Sequence, residues 1–176
     1  HKFLFDIGVV SAKEPFQKLI NQGLILGPDG QKMSKSRGNV INPDSLVEKF
    51  GADSLRLYEM FMGPLEDAKP WQPEGIVGLH RFLGRVWKLI NNRQSTTDNQ
   101  QQENKNLEKL LHKTIKKVGE DIAAFKFNTA VSALMILLNE MEKQKSNMPH
   151  AACRMFLKLL APFAPHITEE LWERLS

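Results

Sequence analysis

The chain has 176 residues, of which 41% are hydrophobic and 25% are charged, and its formal net charge is +4. This is the composition of an ordinary globular protein, and its mild basic excess permits a nucleic-acid partner without requiring one. The single cysteine, Cys153, excludes an internal disulfide and fits a reducing compartment. No apolar run approaches the length of a membrane span. We therefore expect a cytoplasmic protein with no membrane contact.

The first part of the chain predicts short elements. Residues 1–12, whose apolar residues are mainly Phe and Val, indicate a short buried strand or an extended segment. Glu14-Pro15 indicates the start of a helix over residues 15–20, with the proline in its first turn, and Asn21-Gln22-Gly23 is expected to end it. Residues 24–26 are typical of a strand, and a Gly-Pro-Asp-Gly turn at 27–30 would return the chain as a second strand at 31–33. The prediction is a β-hairpin that leads directly into a polar segment.

This polar segment is dense in groups that bind phosphate. Residues 32–36 read Lys-Met-Ser-Lys-Ser, and they are followed by Arg37 and Gly38. Because no apolar periodicity runs through them, we predict a loop, and we refer to residues 32–38 as the signature loop. Lysine offers a compact positive charge, arginine a planar fork and serine a rotatable donor. A solvated surface loop is the competing interpretation of such a stretch.

Two short helices and a linker are predicted next. Asn42 is suited to be the N-cap of the first helix, because a proline and an acidic residue follow it, and Gly51 is suited to end that helix. Asp53 is expected to cap a second helix that ends before Gly63. Residues 66–72 are a linker by composition.

From residue 73 onward the pattern is that of long amphipathic helices. Apolar residues recur every three or four positions in five stretches. These run from 73 to about 91, from 107 to 125, from 128 or 129 to 141, from 149 to 160, and from 165 to the end. Residues 92–105, rich in Asn, Gln and Thr, predict a loop. The fold class is mainly α: a short hairpin and connecting helices over residues 1–70, then an antiparallel helix bundle over residues 71–176.

Two of the long helices have basic residues opposite their apolar stripe. At about 100° per residue, the first helix places on one face Arg81, Arg85 and Lys88. The second helix does the same with Lys109, Lys113, Lys116 and Lys117. A solvated polar face explains either helix alone. Two such faces in a chain that also contains the signature loop favour contact with a nucleic-acid backbone.

The histidines and the cysteine do not form a predicted site. The spacing of a metal-ligand set is absent among His80, His112, His150, His166 and Cys153. No Ser-His-Asp or paired-carboxylate arrangement can be argued from spacing either. We expect no metal ion bound by side chains of this chain.

The signature loop and its flanks resemble the KMSKS region of class I aminoacyl-tRNA synthetases. Residues 30–44, with Arg37-Gly38-Asn39 and then Asn-Pro-Asp, are closest to the bacterial leucine-specific branch of subclass Ia. Residues 51–66 are similar to the same branch, and residues 160–166 are similar to the end of its helical anticodon-binding domain. The resemblance extends from about residue 3 to the end of the chain.

The resemblance implies a function. Residues 1–70 would be the end of a catalytic core, and residues 71–176 a helical domain that binds tRNA(Leu). In this family the loop binds phosphates of ATP, accompanied by Mg²⁺, while leucine is converted to leucyl-adenylate and then transferred to tRNA. The implied ATP-binding residues are Lys32, Met33, Ser34, Lys35, Ser36 and Gly38, with Lys35 and then Lys32 as the catalytic groups. The nucleotide-binding core lies upstream in such enzymes, so we expect this chain alone to be inactive. We also expect it to be monomeric.

Two other interpretations stay open at this point. One is a related class Ia enzyme for valine, isoleucine or methionine. The other is a non-catalytic helical module that binds tRNA and retains a vestigial loop. A leucine-specific activation assay separates the first from the leucine enzyme, and the reading frame upstream of His1 tests the second.

Overall fold

The computed structural model describes residues 1–92, 105–144 and 148–175. The fold is mainly helical, as predicted. The helices are α1 (Lys2–Asp6), α2 (Pro43–Phe50), α3 (Ala52–Phe61), α4 (Pro73–Asn91), α5 (Lys105–Ala123), α6 (Phe127–Lys143), α7 (His150–Leu160) and α8 (Pro165–Leu175). Two short strands, β1 (Ile25–Leu26) and β2 (Lys69–Pro70), and a 3₁₀ turn at Lys35–Arg37 complete the regular structure of these residues.

The core is formed where the apolar stripes of the long helices meet. On α4 the buried residues recur at helical spacing and include Ile76, Leu79, Leu83, Val86 and Ile90. Helix α5 packs on α6, and α7 on α8, while α4 contacts α6 and α8. Helix α3 also packs against α4, α6 and α8, so the part before residue 71 shares this core. The antiparallel arrangement of the bundle remains a prediction.

The prediction for residues 1–20 was wrong. Residues 2–6 form a helical turn instead of a buried strand, and residues 15–20 form no helix. Phe3, Phe16 and Leu19 are largely exposed to solvent. A strand needs a partner for its backbone groups, and a six-residue helix needs a surface on which to bury its apolar stripe. This part of the structure supplies neither to these residues, and α1 instead closes local hydrogen bonds such as Phe5 N–H to the His1 carbonyl.

The predicted hairpin is reduced to one bridge, and the predicted linker contains a strand. Leu26 and Lys32 form a single antiparallel bridge. The main partner of β1 is β2, which pairs with it in parallel. The N–H groups of Lys69 and Trp71 donate to carbonyls of the β1 segment at 3.0 and 2.9 Å, so Pro70, which has no N–H, lies between the two donors. Burial of Trp71 against Tyr58 holds the segment in this place.

The helix ends agree with prediction in part. Asn42 caps α2, and its side chain accepts the Asp44 N–H at 3.0 Å. Asp53, however, does not cap α3; Gly51 takes that position, and the Asp53 carboxylate is buried. The N-cap of α6 is Lys126, not residue 128 or 129. Of the predicted loop at 92–105, residues 93–104 lie outside the described residues.

Candidate functional site

A tight turn carries the signature loop. The Gly30 N–H donates to the Gly27 carbonyl at 2.9 Å, and the Gly27 N–H donates to the Gln31 carbonyl at 2.8 Å. The bridge to Leu26 follows at Lys32. The loop then makes its 3₁₀ turn and leaves it through Gly38, whose φ of 68° lies in the left-handed region that glycine adopts without strain. The loop therefore projects from the short sheet.

Met33 anchors the loop to the protein. Its side chain is half-buried and packs against the hydrophobic core. It lines a small cleft with apolar residues of the sheet and of α2 and α3, among them Ile25, Leu46 and Leu55. Of the predicted ATP-binding residues, Met33 thus contributes a fixed point for the loop, because an apolar side chain offers phosphate no donor.

The two lysines of the loop point into solvent. Lys32 and Lys35 are exposed and make no side-chain hydrogen bond or ion pair with the part of the chain that the structure describes. In the same loop, the Ser34 and Ser36 hydroxyls lie 2.8 Å apart and share a hydrogen bond. The loop therefore presents two unneutralised ammonium groups and a hydroxyl pair, which suits an anion with several oxygens.

Two residues outside the predicted set hold the loop. The Asp29 carboxylate accepts the Gln31 N–H at 3.0 Å and the Asn39 side-chain amide at 3.2 and 3.1 Å. The Asn39 Oδ1 accepts the Ser34 N–H at 2.8 Å. The hydrogen bond from Gln31, then that from Asn39, lowers the pKa of Asp29 from its ordinary value. The Asp-Gly turn was visible in the sequence, but the contact between residues ten apart was not.

The basic face of α4 is smaller than predicted. Arg81 and Lys88 are exposed, but Arg85 lies against α6. Its guanidinium makes a bidentate ion pair with Glu142, at 3.0 and 2.5 Å, and also donates to Asn139. The hydrogen bond to Glu142 raises the pKa of Arg85. Arg85 therefore lies at the edge of this face, beside α6, and its charge is paired.

The basic face of α5 also divides into paired and unpaired lysines. Lys109 and Lys113 are exposed without a partner among the described residues. Lys116 lies 3.8 Å from the Glu120 carboxylate, an exposed pair that contributes little. Lys117 is bound at 2.6 Å to the buried carboxylate of Asp121. Of the seven predicted cations on α4 and α5, those without a partner among the described residues are Arg81, Lys88, Lys109 and Lys113.

Two further observations concern metals and membranes. Among residues 1–92, 105–144 and 148–175, no three His, Cys, Asp or Glu side chains lie together as a metal-ligand group. Within the same residues, no helix combines the length and the apolar character needed to cross a bilayer. Cys153, the single cysteine of the sequence, is buried.

Comparison with known proteins assigns both parts of the chain to families. Residues 5–70 match the family "tRNA synthetases class I (I, L, M and V)". Residues 104–176 match the family "Anticodon-binding domain of tRNA ligase". The first match contains the signature loop, and the second covers α5 to α8.

Individual relatives are more specific. The chain is 55% identical over its whole length to the leucine-tRNA ligases of Chlorobium chlorochromatii and Chloroherpeton thalassium. It spans 22% of the length of each of these relatives. Among solved structures, it is 34% identical to the Agrobacterium radiobacter K84 agnB2 LeuRS in its ternary complex with tRNA and LeuAMS, with a TM-score of 0.84. That match covers 99% of this chain and 25% of the Agrobacterium chain.

The signature loop, the helical bundle and these relatives lead to the same assignment. The leucine-specific relatives match the chain from end to end, including the loop and the helices that follow it. Over its whole length the chain is therefore similar to a segment of leucyl-tRNA synthetases, and its residues 5–70 match the class I tRNA synthetases.

Proposed function

We propose that the chain acts as part of a leucine-tRNA ligase, which activates leucine with ATP and transfers the leucyl group to tRNA(Leu). The observation that carries the proposal is the signature loop, whose two lysines are exposed and unpaired while its base is hydrogen-bonded to the turn. The greater length of the relatives supports an enzyme that needs other parts for its activity. To that enzyme this chain would contribute the signature loop and the helical domain. The boundary between these two parts would lie near residue 70.

The loop would act on the phosphates of ATP. In adenylate formation the leucine carboxylate attacks the α-phosphate, the bond from that phosphorus to the bridging oxygen breaks, and pyrophosphate leaves with the electron pair. Lys35 is the proposed contact to the β- and γ-phosphates as charge accumulates on the leaving group, with Lys32 as the second cation. Ser34 and Ser36 would donate hydrogen bonds, and Gly38 would allow the backbone to come close.

Mg²⁺ is proposed to arrive with ATP. The described part of the loop offers donors and cations, which fit phosphate oxygens, and it offers no group of carboxylates for a divalent cation. The ion would therefore be held mainly by the triphosphate, where it would supply further positive charge to the leaving pyrophosphate.

Single-turnover kinetics with Lys35→Ala tests the role of the loop. In the full-length enzyme, we expect the rate of adenylate formation to fall by about 100- to 1000-fold, the usual effect of removing one charge-stabilising donor. Ground-state binding of ATP should change much less, because the contact strengthens as pyrophosphate leaves. Lys49→Ala removes an exposed lysine of α2 outside the loop and should leave the rate unchanged. A normal rate with only a raised KM for ATP would contradict this role.

The helical domain is proposed to bind tRNA through phosphate contacts on α4 and α5. The unpaired cations Arg81, Lys88, Lys109 and Lys113 support it, and Lys116 is a weaker candidate because it has a neighbouring carboxylate. Arg85 leaves this set because it is bound to Glu142.

Filter binding at several salt concentrations tests these contacts. Arg81→Glu/Lys88→Glu should weaken tRNA binding and flatten the slope of log K against log salt by about one to two units, if both cations meet phosphates. The double variant Lys13→Glu/Lys18→Glu makes the same change of net charge outside the bundle and is the control. Equal effects of the two double variants would indicate a general charge effect and would refute the assigned surface.

Amino-acid specificity is a separate part of the proposal. The leucine-specific relatives support leucine over valine, isoleucine or methionine. Leucine-dependent pyrophosphate exchange by the full-length enzyme, with the other three amino acids near background, is the expected result. The proposal also includes a monomeric, cytoplasmic enzyme, and a single cysteine, which excludes an internal disulfide, fits such a reducing compartment.

A further inference from the structure

A compact hydrogen-bonded unit lies at the base of the signature loop. It consists of the Asp29 carboxylate and the Asn39 amide, and we call it the Asp29–Asn39 clamp. The Asn39 Nδ2 lies 3.2 and 3.1 Å from the two carboxylate oxygens and 3.4 Å from the Lys32 carbonyl. The Asn39 Oδ1 accepts the Ser34 N–H at 2.8 Å. One side chain thus joins the turn before the loop to two points inside it.

The surroundings determine the orientation of the Asn39 amide. Its nitrogen faces three acceptors, the two Asp29 oxygens and the Lys32 carbonyl, while its oxygen faces a backbone donor. The reverse orientation would place an oxygen against three acceptors and an NH₂ against an N–H. Only an amide meets all these groups at once, because a carboxylate has no donor and a hydroxyl has a single O–H.

A glycine makes room for the clamp. A Cβ on Gly27 would lie 2.6 Å from the Asp29 Oδ1 and 2.9 Å from the Asn39 Nδ2. Gly27 is buried, and its N–H closes the turn on the Gln31 carbonyl. The position before the turn therefore has space for the two interacting side chains and none for a further methyl group.

We propose that Asp29 and Asn39 are positioning residues that hold the signature loop in the conformation from which Lys32 and Lys35 reach the leaving phosphates. Neither residue needs to contact ATP. The Ser34 N–H that Asn39 binds is one residue before Lys35, and the Lys32 carbonyl belongs to the other lysine itself. Loss of the clamp would release the backbone at both catalytic lysines. The kinetic part of this inference rests on the proposed function.

Reciprocal substitution tests the pair. Asn39→Asp keeps an acceptor for the Ser34 N–H but sets two carboxylates against each other, so it should open the clamp. Asp29→Asn keeps the acceptor for Gln31 and removes the charge. In the double variant Asp29→Asn/Asn39→Asp, the new amide at 29 donates to the new carboxylate at 39, and the central contact returns with its direction reversed. Two contacts of residue 39 are not restored: the one to the Lys32 carbonyl and the one to the oxygen at 29 that accepts the Gln31 N–H, so we expect a partial rescue.

Two readouts are taken on the full-length enzyme. The first is hydrogen–deuterium exchange of the peptide covering residues 33–39, which reports opening of the loop whether or not the enzyme is active. The second is kcat and ATP KM for leucine-dependent pyrophosphate exchange. Misplacement of a catalytic group by about 1 Å costs up to about 100-fold, so we expect Asn39→Asp to lower kcat by about 10- to 100-fold with a smaller change in KM. Glu48→Gln, an exposed carboxylate change on α2, is the matched control.

The outcomes separate the clamp from the proposed function. Faster exchange and lower kcat in Asn39→Asp, with both returned substantially toward wild type in the double variant, support the clamp. No change in either readout for Asn39→Asp overturns it. The clamp is also overturned if the fold-change in kcat of the double variant equals the product of the fold-changes of the two single variants, because the free-energy effects of independent sites add. If the wild-type enzyme shows no leucine-dependent exchange of pyrophosphate, the proposed function fails, and deuterium exchange alone decides the clamp.

Discussion

Asp53 connects the first part of the chain to the last helix of the bundle. Its carboxylate lies on α3 and accepts the Ile167 N–H at 2.7 Å and the His166 N–H at 3.3 Å. These two donors lie in the first turn of α8, where a helix has no carbonyl partners of its own. The same carboxylate accepts a 2.8 Å contact from the His166 ring. Asp53 therefore caps α8 from a different helix, and its negative charge favours the positive end of the α8 dipole.

The cost of removing this cap follows from the exposure of its partners. Loss of an N-cap acceptor costs about 0.5–2 kcal/mol, and leaving a buried N–H without a partner costs about 1–3 kcal/mol. Ile167 is half-buried, whereas the His166 side chain is 73% exposed, so water can replace the contact only at His166. We expect Asp53→Ala to lower the free energy of unfolding by about 2–4 kcal/mol.

Urea unfolding followed by circular dichroism measures this effect. With a denaturant slope of about 2 kcal/mol/M, the midpoint of Asp53→Ala should fall by about 1–2 M. His166→Ala removes the ring contact and keeps both backbone bonds, so its cost should stay below about 1 kcal/mol. If His166→Ala costs as much as Asp53→Ala, the contact of the His166 ring and not the cap is the source of the stability. A midpoint change below 0.25 M for Asp53→Ala, about 0.5 kcal/mol at this slope, would refute the reasoning.

Two further predictions concern packing and pH. Gly75→Ala should lower stability by about 1–3 kcal/mol, since overpacking has that cost, and the new Cβ would lie 2.3 Å from the Tyr58 ring. Gly78→Ala on the same helix meets no atom within 4 Å and should be neutral or stabilising in the same urea titration. Burial raises the pKa of Asp121, but the hydrogen bonds from Lys117 and from a threonine of α6 outweigh burial, so the pKa lies below its usual 3.8. The resulting stability is present above that value and lost as pH falls through the lower pKa of the folded state, so Asp121→Asn should destabilise at pH 7 and flatten the acid limb of a stability–pH curve.

The elements that the sequence predicts well are helices whose apolar stripe is long enough to stabilise the helix when it packs against its neighbours. Helix α4 is an example, because its stripe repeats over five turns and its buried residues are those that the periodicity indicates. Residues 15–20 show the opposite case. Their three apolar residues fit a helix, but a single short turn gains too little from burial to offset the cost of nucleation. Strand β2 depends on the packing of Trp71 against the Tyr58 ring, and no local sequence pattern predicts this contact.

In the candidate site, too, some features could be predicted from the sequence and others depend on tertiary contacts. The exposure of Lys32 and Lys35 could be predicted because a polar loop leaves its cations in solvent, whereas their role toward ATP is what the resemblance to the KMSKS region implies. Which cations stay unpaired is decided by residues distant in the chain: Arg85 is neutralised by a glutamate 57 positions away. The clamp likewise depends on a contact between residues that are separated in the sequence. Asp29 and Asn39 are ten positions apart, and neither residue alone indicates that the other is its partner. Local chemistry therefore predicts which groups can bind phosphate, whereas tertiary contacts determine which of them remain available and how they are held.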